Sequence, residues 1–211
     1  MTTRLVLVRH GEARASVDQV IGGPNGCKGL TGRGRRQAEQ LRDRLTRTSE
    51  IVPEVLLAST LPRAIETGEI VSGAFPGREL MTDSDYCELH VGECDGLTVA
   101  EYEERYGIID AFEADRVMSP GGKSPRVFDE RVRRATAALL ETFRDQSVML
   151  FTHGGFVFAA TMFLLEAPGI HERKSFWAPP KNTSLTVFTS HESGGPMVLD
   201  RYNDVAHVTD D

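Results

Sequence analysis

The chain has no apolar run approaching the roughly 20 residues that a membrane-crossing helix requires. It is also short of positive charge: 24 Lys and Arg stand against 31 Asp and Glu, a formal net charge of −7. Nucleic acid and anionic membrane both call for a positive field, so neither is expected as a partner. Cysteine is scarce. The three thiols, Cys27, Cys87 and Cys94, are odd in number and lack the paired spacing of a zinc knuckle or redox motif, which argues for reduced thiols rather than a disulfide framework. A bridge between Cys87 and Cys94 would form only if the intervening turn allowed it. No Asp-rich or HExxH-type cluster is present, so no metal is expected, and there are no repeats or low-complexity tracts. The first strand follows Met1 without a basic, apolar, small-residue leader pattern, which makes a cytoplasmic protein the expectation.

What remains is an ordinary globular composition, 40% apolar and 26% charged in 211 residues, enough for one sizeable core and a single domain over 1–211. Two apolar runs carry the most information. Leu5-Val6-Leu7-Val8 ends in Arg9-His10-Gly11-Glu12, and Val148-Met149-Leu150-Phe151 ends in Thr152-His153-Gly154-Gly155. Each is a strand of the kind buried on both faces of a parallel sheet, and each delivers a histidine followed by glycine at its carboxyl end. In an open α/β sheet ligands gather at that edge, where loops converge and helix N-termini point their free N–H groups. The two histidines therefore belong to one site.

The rest of the chain alternates in the same way. Thr31 offers an N-cap for a helix to about residue 46, with Ala38, Leu41 and Leu45 on its apolar face. A strand at 55–58 precedes a helix over about 62–72 that has proline in its first turn. A third strand is expected at 78–81. Thr98 with Glu101 three residues later forms a capping box opening a helix toward Tyr106. A long helix over about 125–143 leads into the 148–151 strand, and an apolar helix over 155–165 follows. The segments 184–189 and 197–202 read as an edge hairpin or two late strands, and the tail after Asn203 as loosely held. Residues 90–124 show no clear strand and read as a lid or specificity insertion. The expected fold is α/β, a doubly wound, mostly parallel sheet with helices on both faces.

The segment Ala58-Ser59-Thr60-Leu61-Pro62-Arg63-Ala64 sets Arg63 in the first turn of a helix on the same sheet edge as the histidines. Arg9, His10, Arg63 and His153 can then share a pocket that suits a phosphoryl group. Guanidinium forks grip two oxygens at once, a helix N-terminus adds partial positive charge, and a neutral imidazole can attack phosphorus. Arginines that supply the charge make a metal dispensable.

These residues resemble the histidine phosphatase superfamily, which includes cofactor-dependent phosphoglycerate mutases and broad-specificity phosphatases. The resemblance rests on Arg9-His10-Gly11-Glu12, Leu30-Thr31 through Gly34 with Gln37 and Ala38, the segment around Arg63 from Ser59 to Thr67, Glu88 followed by Gly92, Gly96-Leu97-Thr98, Pro120-Gly121-Gly122, and His153-Gly154-Gly155. They hold the family's order over nearly the whole chain. The resemblance implies the phosphoglycerate mutase-like fold, His10 as a nucleophile that becomes phosphohistidine, Arg9, Arg63 and His153 as phosphate ligands, and Glu88 as proton donor. It calls for no cofactor, and for a small phosphorylated metabolite as partner. Where many relatives have asparagine six residues after the nucleophile this chain has Ser16, carried over as a phosphate contact. After Glu88 the mutases continue Arg-His-Tyr-Gly, whereas Leu89-His90-Val91-Gly92 stands closer to the phosphatase branch. A phosphatase is the leading reading, with a phosphoglycerate mutase and a non-catalytic phosphate- or phosphopeptide-binding module as alternatives.

Each assignment competes with a blander one. Asp83, Asp85 and Glu93 rival Glu88 as donor. His90 either touches the leaving group or is a polar loop residue. His171, His191 and His207 are expected to be solvated. Arg33, Arg35, Arg36, Arg42, Arg44 and Arg47 interleave with Glu39 and Asp43 and read as a solvated helix face. Lys123 and Arg126 are candidates for a substrate carboxylate or second phosphate. Phe112, Phe176, Trp177 and Pro179-Pro180 either wall the leaving-group site or belong to the core. A homodimer through an edge strand is open.

Overall fold

A computed structural model of the protein describes residues 2–108, 113–169 and 177–209. Among the described residues six strands form one sheet: β1 (Arg4–Arg9), β2 (Val55–Ser59), β3 (Leu80–Asp83), β4 (Ser147–Thr152), β5 (Leu185–Ser190) and β6 (Met197–Asp204). Their order is β3-β2-β4-β1-β5-β6. The first four run parallel, and β5 and β6 join antiparallel at the β1 side. The late strands thus form a hairpin on a parallel sheet.

The unbroken apolar runs are explained by burial on both faces. Along β1, Leu5 and Leu7 join a core with Phe128, Val132, Leu139 and Phe156, while Val6 and Val8 join Ala38, Leu41, Leu45 and Val71 on the other side. The first core lies under α5 (Pro125–Thr142) and α6 (Gly154–Leu164), the second under α2 (Gly32–Thr48) and α3 (Pro62–Ser72). Thr31 caps α2 by accepting from the Gly34 N–H at 2.9 Å. The capping box of α4 (Val99–Tyr106) forms with both reciprocal bonds in place, as the spacing of Thr98 and Glu101 predicts. A single helical turn, α1 (Arg14–Val17), follows the first loop.

The described part of 90–124 packs around its own small cluster of Cys94, Tyr102 and Ile21. It grips the loop after α1: the Ile21 N–H donates to Leu97, and Gly96 returns the bond to Ile21. All three cysteines are buried and free. Phe112, Phe176 and His171 lie outside the described residues.

Several expectations need correction. The third strand begins at Leu80 rather than 78, because the Arg78 N–H closes a turn on Phe75 and Gly77 sits at φ +82°. The tail is not loose. Arg44 links Asp204 and Glu50 with Nη2–Oδ2 and Nε–Oε1 distances of 2.7 Å each, and its side chain is only 12% exposed, so it leaves the solvated face to which the alternation of charges assigns it. His207 is buried rather than solvated, its Nε2 3.0 Å from Thr183 Oγ1. Burial is the main cause that lowers its pKa to about 4.

Candidate active site

The loop after β1 is held by almost every polar group it has. The His10 N–H donates to the Thr152 carbonyl and the Thr183 N–H to the Arg9 carbonyl, both at 2.9 Å. Asn182 donates to the His10 carbonyl at 2.9 Å, and the Gly11 N–H donates to Thr67 Oγ1 at 3.1 Å. The Glu12 N–H reaches Gln37 Oε1 at 2.9 Å. Gly11 and Gly34 permit this loop to lie on the start of α2. A Cβ on Gly11 would stand 2.4 Å from the Gly34 carbonyl oxygen, and one on Gly34 would stand 2.1 Å from that of Glu12. Full pairing of a buried backbone fixes the position of the side chains it carries.

His10 Nδ1 lies 2.7 Å from the Gly11 carbonyl oxygen. A carbonyl only accepts, so the proton sits on Nδ1 and the lone pair on Nε2. Arg63, in the first turn of α3, places Nε 3.1 Å from His10 Nε2 and 3.2 Å from His153 Nδ1, and its Nη1 donates to the Gly22 carbonyl at 2.7 Å. The two imidazoles meet edge to face with centroids 5.2 Å apart. Both rings are buried and held neutral: desolvation, followed by Arg63, puts their pKa values well below 6.5. Burial also lowers the pKa of Arg9. Its Nη1 donates to the Pro180 carbonyl at 2.6 Å, and its buried Nε has no hydrogen-bond partner among the described residues.

Glu88 lies in the same cleft at the N-terminus of α6, accepting from the Gly155 N–H at 2.9 Å and from the Leu89 N–H at 3.2 Å. Gly155 makes room for it, since a Cβ there would lie 2.4 Å from Glu88 Oε1. Arg9, His10, Ser16, Arg63, Glu88, Gly154, Gly155, Trp177 and Pro179 are among the residues that line one cleft of about 270 Å³. A larger cavity, about 570 Å³, lies at the opposite sheet edge between Thr3, Leu140, Phe163 and Met197. It lacks the convergent cations, so chemistry rather than size points to the smaller cleft.

Of the residues named from sequence, Arg9, His10, Arg63, Glu88 and Ser16 line this cleft, and His153 contacts Arg63 behind it. Ser16 is exposed on its wall. His90 is exposed and does not line it; its carbonyl accepts from the Lys123 N–H at 2.8 Å. Asp83, Asp85, Glu93, Lys123 and Arg126 stay outside the lining, and Arg126 pairs with Asp115 at 2.7 Å. Trp177 does form part of the wall, edge to face with Phe158 at 4.8 Å. Sequence reasoning missed Asn182 and Arg131. From α5, Arg131 donates to the carbonyls of Cys87 at 2.9 Å and Glu88 at 3.0 Å, clamping the turn that carries Glu88. An arginine inside an amphipathic helix gives no sign of such a reach.

The arrangement can receive a tetrahedral oxyanion between two guanidinium groups and a helix N-terminus, with a neutral imidazole nitrogen and a carboxyl lining the same cleft. The described residues hold no cluster of three or more His, Cys, Asp or Glu side chains suited to a metal, and none of their helices is long and apolar enough to cross a membrane.

Comparison with known proteins gives the family. The family model of the histidine phosphatase superfamily (branch 1) matches residues 5–205, and the chain is a phosphoric monoester hydrolase on the α/β fold of that family. It belongs to the histidine phosphatase superfamily. It is 26% identical over 208 residues to the phosphoglycerate mutase-like protein 4 of Arabidopsis thaliana, covering 97% of this chain and 86% of that one. It is 26% identical over 216 residues to the 5''-phosphoribostamycin phosphatase of Niallia circulans, covering 97% and 98%. Among solved structures, a mycobacterial glucosyl-3-phosphoglycerate phosphatase in complex with VO3 superposes with a TM-score of 0.76 at 26% identity, covering 95% of this chain and 98% of that one.

Proposed function

We propose that this phosphatase hydrolyses a small phosphomonoester in two steps through a phosphohistidine on His10, with Glu88 as proton donor and no metal. The observation that carries this reading is the His10 ring. Its Nδ1 is committed to the Gly11 carbonyl at 2.7 Å, which leaves Nε2 facing the cleft beside Arg63. Neutrality is what an attacking imidazole needs. Here desolvation and the two arginines keep His10 neutral well into the acid range.

In the first step Nε2 attacks phosphorus, the bond from phosphorus to the ester oxygen breaks, and that oxygen takes the proton of Glu88. In the second step the Glu88 carboxylate takes a proton from water as its oxygen attacks phosphorus. The P–N bond breaks, and phosphate and neutral His10 are restored. Arg9, Arg63 and His153 serve as phosphate ligands throughout, and charge that builds on the equatorial oxygens meets guanidinium groups rather than a metal ion. Arg9 Nε, buried and without a partner among the described residues, supports that role. Ser16 lies on the wall as a further contact to the phosphoryl group. Relatives named as phosphatases favour hydrolysis over mutase turnover.

The test is phosphate release from p-nitrophenyl phosphate in EDTA, from acid to mildly alkaline pH, with wild type and His10→Ala compared. Turnover by the wild type, bell-shaped in pH and abolished in the variant, is the expected result. A requirement for 2,3-bisphosphoglycerate would support the mutase reading instead. Binding of phosphate without turnover under any condition would support a binding module.

A further inference from the structure

Ser59 and His153 pose a question that the two-step scheme leaves unanswered: which nitrogen of His153 carries its proton. Arg63 Nε approaches His153 Nδ1 at 3.2 Å. An arginine Nε–H only donates, so Nδ1 offers its lone pair, and the proton of a neutral ring sits on Nε2. That Nε2 lies 2.7 Å from Ser59 Oγ. Ser59 is completely buried, with 0% exposure, at the carboxyl end of β2. Its hydroxyl also accepts from the Leu61 N–H at 3.2 Å and donates to Cys87 Sγ at 3.3 Å. One donor and two acceptor positions are thereby filled, which is the full capacity of a hydroxyl. The set is self-consistent only with the proton on His153 Nε2.

The consequence appears when an anion enters. A phosphate ester monoanion keeps one acidic O–H and offers oxygen acceptors to Arg63, which can turn its Nε–H from the two rings onto the anion. His153 Nδ1 is then a basic nitrogen facing an acidic O–H, while Nε2–H remains engaged by Ser59. We propose that Ser59 is a positioning residue that holds His153 as its Nε2–H tautomer, so that Nδ1 takes the proton of the arriving oxyanion. The O–H bond breaks, an N–H bond forms on Nδ1, and the electron pair stays on oxygen. The product is an imidazolium that donates to the bound dianion from one nitrogen and to Ser59 from the other. Three cations, Arg9, Arg63 and His153, then surround a dianion, whereas the free site keeps both rings neutral. A hydroxyl suits this task because it accepts from Nε2 before and after the transfer. An apolar side chain at 59 would leave the buried N–H unpaired and free the ring to choose the other tautomer. The proposal rests on the phosphate-binding reading of the cleft.

The test is ring nitrogen-15 NMR of the histidines in the wild-type protein, with and without orthovanadate. The free protein is expected to show His153 protonated at Nε2 and bare at Nδ1, and the vanadate complex to show both nitrogens protonated. A free ring with its proton on Nδ1, or a ring still neutral with vanadate bound, overturns the proposal and leaves phosphate binding intact. Failure of vanadate to bind at all overturns the phosphate reading and this proposal with it. Ser59→Ala is expected to weaken vanadate inhibition roughly tenfold and to flatten its pH dependence, with Ser59→Thr restoring both. If Ser59→Ala does not fold, the wild-type spectra alone decide. If it folds with unaltered vanadate affinity and pH profile, the hydroxyl has only a structural role and the proposal fails.

Discussion

Nε of Arg63 lies 3.1 Å from Nε2 of His10, so a guanidinium covers the lone pair by which the imidazole would attack. In the free protein the proposed nucleophile is both neutral and hydrogen-bonded. On the proposed mechanism an incoming phosphoryl group draws Arg63 away before Nε2 reaches phosphorus, and the same movement turns the guanidinium onto the equatorial oxygens. Binding and activation are then one event.

Arg63→Lys tests that coupling. Lysine keeps a positive charge but not the planar fork, so it cannot reach the Gly22 carbonyl and both rings together. A loss in kcat/KM of roughly 10²- to 10³-fold is expected, by analogy with removal of a preorganised charge-stabilising group, measured by steady-state kinetics with p-nitrophenyl phosphate. Activity within a few-fold of wild type would mean that charge alone suffices.

Glu88→Gln separates the two steps. p-Nitrophenolate leaves without needing a proton, so formation of the phosphoenzyme is expected to continue while its hydrolysis slows by on the order of 10² to 10⁴. Stopped-flow absorbance should therefore record a burst of nitrophenol close to one equivalent, followed by slow turnover. A uniform slowing without a burst would place Glu88 outside the second step.

Arg131→Met removes the clamp on the Glu88 turn. Hydrogen bonds from this guanidinium to the carbonyls of Cys87 and Glu88, at 2.9 and 3.0 Å, are lost while an unbranched apolar stem is kept. A stability loss of about 1.5–3 kcal/mol is expected for the charged donor, read from urea denaturation, with kcat falling more than the affinity for vanadate. Unchanged kcat would show that the turn holds Glu88 without Arg131.

Acid sensitivity of the fold follows from His207. Its folded pKa, about 4 against an ordinary 6.5, means that the unfolded chain binds the proton first. Stability is therefore full above about pH 6.5 and is lost as pH falls toward 4. His10 and His153 add to the loss with the same sign. Toward still lower pH the carboxyls of Glu50 and Asp204, both held at about 2 beside Arg44, are lost in turn. His207→Gln keeps a partner for Thr183 without a proton to gain. It is expected to reduce the wild-type loss between neutral and mildly acid pH by on the order of 1–3 kcal/mol, measured by thermal melts across pH. An identical acid profile in the variant would contradict this assignment.

What the sequence disclosed was local or periodic. The runs ending in His10 and His153 located both strands and their shared edge, because strands buried on both faces need unbroken apolar residues. Thr98 and Glu101 marked a helix start because a capping box is a contact over three residues. What stayed hidden was long-range. Arg131 and Asn182 reach the site across 43 and 172 positions, to Glu88 and His10, and nothing in their own neighbourhoods records it. His207 and Arg44 looked solvated because each sits among polar residues. Their burial comes from the tail folding back, with Asp204 meeting Arg44 over 160 positions.

The central claim is a covalent phosphohistidine on His10, and trapping it is the most direct test. Glu88→Gln would be mixed with p-nitrophenyl phosphate in EDTA, quenched in alkali, and analysed by intact mass and peptide mapping. One added phosphoryl group, stable to alkali, labile to acid and mapped to the peptide carrying His10, is the predicted result. A phosphoryl group on another residue, or none in an enzyme that still releases nitrophenol in a burst, would contradict the account.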